Sequence, residues 1–305
     1  MKKIKILIAV LAVAGIVWFI YSNYIKVPVP PPPSPPVNQF VREINREIDS
    51  IETNPNNGFC ADDYKRVRYH IDDYASQNRL GKDSTDTLGN IQNQEYLFKT
   101  LFSKYTEKFI AQADNVFNNS VWASNDLKFI QAESHRLRKE GVDRKALDVK
   151  GPIAKDLSRV VVTVDSYYSE VAFINKCRSF SYNNTDLDSR FPIEQAQTII
   201  NDSKKHLSSL GVVRNSAFVK DGLKGIPEKV LSAHVSYLEK KIKDLSGYYI
   251  YVNSLYTYKS SLYDKLYAEI SELSNPMYSG LNVSSQRSRL QNALQADYNA
   301  AKNYF

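Results

Sequence analysis

Glycine is scarce in this 305-residue chain, with 11 in all, roughly half the usual 7% usage. There is no glycine-rich phosphate loop and no Gly-x-Ser-x-Gly elbow, and His-Glu-x-x-His and Cys-x-x-Cys are missing as well. The most recognisable signatures of nucleotide binding, acyl transfer and zinc chemistry are therefore absent. No catalytic, cofactor-binding or metal-ligating set is assigned from the sequence. The four histidines are His70, His135, His206 and His234. Asp202 and His206 share a helical face four residues apart, but two ligands do not close a metal site, and an exposed i,i+4 pair is the simpler reading. His70 beside Asp72 and Asp73 reads in the same way, as a polar helix face.

A one-sided charge is also missing. The formal charge is +7, but Lys2, Lys3, Lys5 and Lys26 supply four of the 40 basic residues, leaving 36 against 33 acidic ones. That near-balance gives no footprint for nucleic acid. The densest basic cluster, Arg136, Arg138, Lys139, Arg144 and Lys145, is broken by Glu140 and Asp143 and reads as a solvated face.

Only two cysteines occur, Cys60 and Cys177. Both fall at the ends of helical patterns, and in an oxidising compartment a candidate disulfide joins them; two buried thiols are the alternative. Prolines number 12, and seven of them crowd into Val27 to Pro36. The rest of the chain holds only Pro55, Pro152, Pro192, Pro227 and Pro276. Long uninterrupted helices fit so few breakers.

What is present begins with an anchor. Ile6 to Ile25 carries no charge and is just long enough to cross a hydrocarbon core of roughly 30 Å. Trp18, Tyr21 and Tyr24 sit toward its far end, where amphipathic rings favour the headgroup layer. The lysines before it favour a cytoplasmic N-terminus. A cleavable signal peptide shares the charged start and apolar middle, but Ala12-Val13-Ala14, the one small-x-small pattern, is buried within the run. The expected organisation is a short cytoplasmic tail (1–5), a transmembrane signal anchor (6–25), a proline-rich stalk (26–36) and a translocated helical domain (37–305). Polyproline II makes the stalk a semi-rigid spacer about 30 Å long; a docking ligand for a proline-reading partner is the rival role.

Apolar residues recur at helical spacing through the remainder. Val37, Phe40, Val41, Ile44, Ile48 and Ile51 form one stripe, ended by Asn54-Pro55, and Tyr64, Val67, Ile71 and Tyr74 form the next. A longer helix from Ser84 carries Leu88, Ile91, Phe98, Leu101, Phe102, Tyr105, Phe109, Val116 and Phe117. Ser124 is expected to cap a helix that stops at Gly141. Pro152 opens one with Leu157, Val160, Val164 and Ile174 inward, and Pro192 another with Ala196 and Ile200 inward. After Pro227 a single seam runs from Leu231 through Leu238, Leu245, Val252, Leu266 and Ile270 to Leu273, which predicts one helix about 70 Å long. Leu290 and Leu294 mark a last helix.

These patterns predict an all-α fold, an elongated antiparallel bundle of coiled-coil character, subdivided if at all near 181–226. On the long helix a second stripe, Tyr248, Tyr251, Leu255, Tyr258 and Leu262, is the candidate interaction face, since tyrosine combines contact area with a polar tip; packing against neighbours on two sides is the plainer account. Twenty-one tyrosines with abundant asparagine, lysine and serine resemble exported bacterial proteins in composition. The expected function is therefore a non-enzymatic, membrane-anchored scaffold or adaptor of a bacterial cell envelope, periplasmic or extracellular, with a protein partner or self-association and no cofactor. A ligand-sensing or cell-wall- or glycan-binding module is the alternative.

Overall fold

The computed structural model describes residues 38–53, 59–184, 186, 188–248 and 256–302, with backbone alone for 246–248, 256–260 and 301–302. The apolar run 6–25 and the proline-rich stretch lie outside the described residues. Among the described residues no helix is long and apolar enough to cross a membrane. Every regular element among the described residues is helical: α1 Gln39–Thr53, α2 Ala61–Ser76, α3 Thr87–Asn118, α4 Ser124–Asp143, α5 Pro152–Arg178, α6 Ile193–Ser209, α7 Ala217–Lys224, α8 Ile226–Tyr248, α9 Tyr256–Ser271 and α10 Val283–Lys302, with short 3₁₀ turns at Gly211–Asn215, Glu272–Ser274 and Pro276–Tyr278. The chain is all-α, as its periodicity predicts.

Two compact units divide it, one taking in the chain to Asn56 together with Cys60–Tyr105, the other Asn57–Phe59 and Thr106–Phe305. The division thus falls within α3, while 181–226 lies inside the second unit.

In the first unit, α1 buries Val41, Ile44, Ile48 and Ile51, and α2 buries Tyr64, Val67 and Ile71. These are the predicted stripes. Phe40 meets Tyr74 at 4.9 Å and Glu47 meets His70 at 3.0 Å, so the two helices run antiparallel. Side-chain amides hold the α2–α3 connection: Asn90 donates to Ala75 O at 2.9 Å and accepts from Leu80 N at 2.9 Å, and Asn93 donates to Leu80 O at 2.7 Å. Asn38 donates to Arg79 O at 2.6 Å and to Gly81 O at 2.5 Å. A Cβ on Gly81 would meet Asp86 O at 2.4 Å, a contact no side chain tolerates. Lys104 bridges Asp49 and Glu52 at 2.8 and 2.7 Å, and these bonds hold its ammonium above the usual lysine range.

Three local expectations are corrected. Helix α3 starts at Thr87 rather than Ser84, because the Asp86 carboxylate accepts from Gly89 N at 3.0 Å and takes the N-cap. Leu88 and Ile91, near the start of that helix, are exposed, at 67% and 47%, although the predicted apolar stripe included them. Ser124 is the first residue of α4, not its cap; Ala123 holds the cap position and makes no side-chain bond. That helix also runs past Gly141 to Asp143, with Lys145 in the left-handed conformation at φ 53° just beyond it.

The largest correction concerns the 70 Å helix. Lys241 Nζ lies 3.0 Å from Glu269 Oε1, whereas 28 residues of straight helix would separate them by about 42 Å. The chain therefore reverses between α8 and α9, and the one seam is two seams. Leu238 and Leu245 of α8 and Leu266 and Ile270 of α9 are all buried, and α8 and α9 pack on each other as well as on α10. A seam that folds back on itself and a seam that meets another helix have the same period. Leu262 of the candidate tyrosine face is buried. Tyr248 ends α8 and Tyr258 lies in α9, so the five positions do not line one helix; Tyr251 and Leu255 lie outside the described residues, as do the side chains of Tyr248 and Tyr258.

The core of the first unit sets a sharp contrast between neighbouring tyrosines. Tyr64 is fully buried and stacks on Tyr105 at 4.4 Å, while Tyr69, one turn later, is 68% exposed. Replacing Tyr64 by alanine is expected to cost about 3–5 kcal/mol in urea unfolding, and replacing Tyr69 to leave stability within about 0.5 kcal/mol of the parent.

Candidate functional site, a buried polar cluster and the cleft it braces

Ionisable groups are almost never fully buried without a partner, so Lys241 on α8, with no exposed surface, marks the most unusual point of the second unit. Its ammonium donates to both Glu269 oxygens, at 3.0 and 3.2 Å, and to the Ser189 carbonyl. Tyr237, one turn earlier, donates to that same carbonyl at 2.6 Å and lies 3.3 Å from Glu269. Burial and the Glu269 charge push the Tyr237 hydroxyl well above the ordinary tyrosine range, so it stays a donor. One helix thus grips α9 through a carboxylate and the α5–α6 connector through a backbone oxygen.

A second buried group lies one further turn back. The His234 ring stacks on Phe191 at 4.0 Å with 4° between planes, and its Nδ1 is 3.1 Å from the Tyr278 hydroxyl. Nε2 is buried with no hydrogen-bond partner among the described residues. Burial lowers the His234 pKa to about 3, so the imidazole is neutral at physiological pH. Burial also raises the Tyr278 hydroxyl. Glu272 is held up by burial first and by Glu269 second, with Arg190 opposing.

Phe191 carries this cluster outward. Phe180 and Tyr182 meet it edge-on at 6.1 and 6.0 Å, and Tyr182 also packs on Tyr237 at 5.3 Å. Phe180 and Tyr182 form one wall of a cleft of about 570 Å³ whose other walls come from the end of α5 and from α6, including Lys176, Ile199 and Asp202. Buried Cys177 lines it too. Burial pushes the Cys177 thiol up, with Lys176 acting to lower it and Asp202 to raise it.

The sequence-predicted residues fall as follows. Cys60 is buried in the first unit and Cys177 in the second, and each sits where a small apolar group packs at a helix end. His206 turns away from Asp202 and meets both Glu170 oxygens at 3.0 Å while stacking on Phe173 at 4.1 Å. His70 makes the same contact with Glu47. Among the described residues no group of three or more His, Cys, Asp or Glu is placed to hold a metal ion. In the basic cluster, Arg136 pairs with Glu133 at 2.6 Å and with Glu140. Lys241, Glu269 and the cleft have no signal in the sequence, because each depends on segments brought together by the chain reversal.

No protein-family model, curated protein or solved structure matches the chain.

Two outcomes follow from the cluster. Lys241→Met alone strands the Glu269 carboxylate and is expected to cost about 3–5 kcal/mol, whereas Lys241→Met with Glu269→Leu removes both charges and recovers at least half of that loss; urea titration of both variants checks this. For His234 the folded pKa lies below the unfolded one of about 6.5, so between that value and about 3 the unfolded chain binds the extra proton and stability falls as pH falls. Glu272, with its folded pKa raised, acts in the opposite sense. His234→Phe should flatten the acid limb below pH 6 by up to about 1.4 kcal/mol per pH unit, read from denaturant midpoints at a series of pH values.

Proposed function

We propose that this chain is a membrane-anchored, extracytoplasmic helical scaffold or adaptor of a bacterial cell envelope, its helices forming an elongated antiparallel bundle behind a single span and a proline-rich stalk. The observation that carries the reading is the use made of polar chemistry in the body. His70 ties α2 to α1, His206 ties α6 to α5, Arg159 grips Asp114 through two bonds of 2.6 and 2.9 Å, and Lys241 ties α8 to α9. Such cross-links, most of them between consecutive helices, suit a rigid body that holds partners at a fixed distance from a membrane. The second reading, a ligand-binding module, is favoured by the cleft beside Cys177.

The surface offered to a partner or to a second copy is the tyrosine-rich stretch with Tyr248, Tyr251, Leu255 and Tyr258. The test is affinity capture of the full chain after mild crosslinking in native membranes that have first been washed with alkali. The chain should stay with the membrane and be recovered crosslinked to one protein partner or to itself. Tyr248→Ala, Tyr251→Ala and Tyr258→Ala should leave the melting temperature within about 2 °C of the parent and abolish the crosslink. Release of the chain by alkali, capture of the uncrosslinked chain alone, or melting lowered by all three changes overturns the reading.

A further inference from the structure

The cleft between α5, α6 and the 179–182 segment has the dimensions and lining of a small-molecule site. Its volume of about 570 Å³ falls within the range of roughly 300–1,000 Å³ that such sites occupy, and they are commonly apolar with a few placed polar groups. Here Phe180, Tyr182 and Ile199 supply the apolar wall. Both aromatic rings are half-buried, and each is braced from behind by Phe191. Phe191 is itself fixed by the His234 stack, so the wall is built before any ligand arrives.

Charge then selects the ligand. Lys176 on α5 and Asp202 on α6 both line the cleft, and both act electrostatically on the Cys177 thiol. Neither forms an ion pair among the described residues. In the same unit Arg159 pairs with Asp114 and Arg289 with Glu239. An unpaired cation and an unpaired anion lining one largely apolar cleft are complementary to a molecule bearing both signs. A neutral sugar would leave both charges unanswered, and a simple anion or cation would leave one.

We infer that this cleft binds a zwitterionic small molecule with an apolar body, namely an apolar amino acid or short peptide with free ends, its carboxylate on Lys176, its ammonium on Asp202 and its side chains against Phe180, Tyr182 and Ile199. This goes beyond the scaffold reading and does not depend on it. That reading is judged by membrane retention and crosslinking, this one by ligand affinity.

The experiment is calorimetric titration of the full chain in detergent micelles with leucyl-tyrosine and with the same dipeptide acetylated and amidated at its ends. The free dipeptide should bind one to one, and the blocked form about tenfold or more weaker, because two charge-assisted contacts are lost. Lys176→Ala and Asp202→Ala should each weaken the free dipeptide about tenfold, while melting is unchanged because both side chains are exposed. The double variant in the same micelles reports partition into detergent. Equal binding of the blocked dipeptide, parent-like affinity in either charge variant, or no heat above that of the double variant overturns the inference. So does saturable binding of N-acetylglucosamine oligomers that shifts the Ile199 methyl resonances, which would assign the cleft to a glycan.

Discussion

Taking a lysine ammonium wholly out of water is unfavourable by several kcal/mol even after relaxation, and the loss is offset only when anionic and hydrogen-bonding partners surround it. Lys241 meets that condition through Glu269 and the Ser189 carbonyl, 28 and 52 residues away in sequence. The helices cannot slide relative to one another without stranding the charge. The α5–α6 connector is held at the same point, because Tyr237 and Lys241 both donate to Ser189 O. From there the constraint passes through packed rings: Tyr237 against Tyr182, Tyr182 and Phe180 against Phe191, and Phe191 against His234. A buried charge in the α8–α9 interface thus sets the shape of a cleft at the α5–α6 end.

A gentler form of the same logic recurs in each unit. His70 with Glu47 and His206 with Glu170 both place one imidazole nitrogen about 3.0 Å from two carboxylate oxygens across an antiparallel helix pair. In each case the ring also stacks, on Tyr74 in one and on Phe173 in the other. A flat, amphipathic side chain suits this position because its faces pack while its edge hydrogen-bonds. These half-exposed contacts fix helix register, and they explain why the histidines are not gathered into one centre. In both units polar side chains thus hold neighbouring helices together. At the cleft, Lys176 and Asp202 form no ion pair among the described residues.

Helix positions and their buried faces were legible in the sequence because they depend on local periodicity. Ile44, Ile48 and Ile51, or Leu157, Val160 and Val164, are buried where a 3.6-residue repeat puts them. Asp86 and Lys145 do not stand out in the sequence as helix boundaries, since several residues in each neighbourhood have the chemistry to cap and only the fold chooses among them. The charged pair Lys241 and Glu269 was equally silent: next to Ile242 and Ile270 on the seams, each looks like an ordinary flanking charge.

The sequence by itself determined that the body is helical, where most helices begin and end, and which stripe of each is apolar. Tertiary structure decided what each stripe meets. A continuous 70 Å helix and two helices folded on one another satisfy the same repeat from Leu231 to Leu273, because periodicity records that a face is buried and not what buries it. The reversal between α8 and α9 is what carries Lys241 to Glu269, and that contact also holds the connector whose aromatic residues wall the cleft. These are contacts between residues far apart in the chain, and no local pattern encodes them.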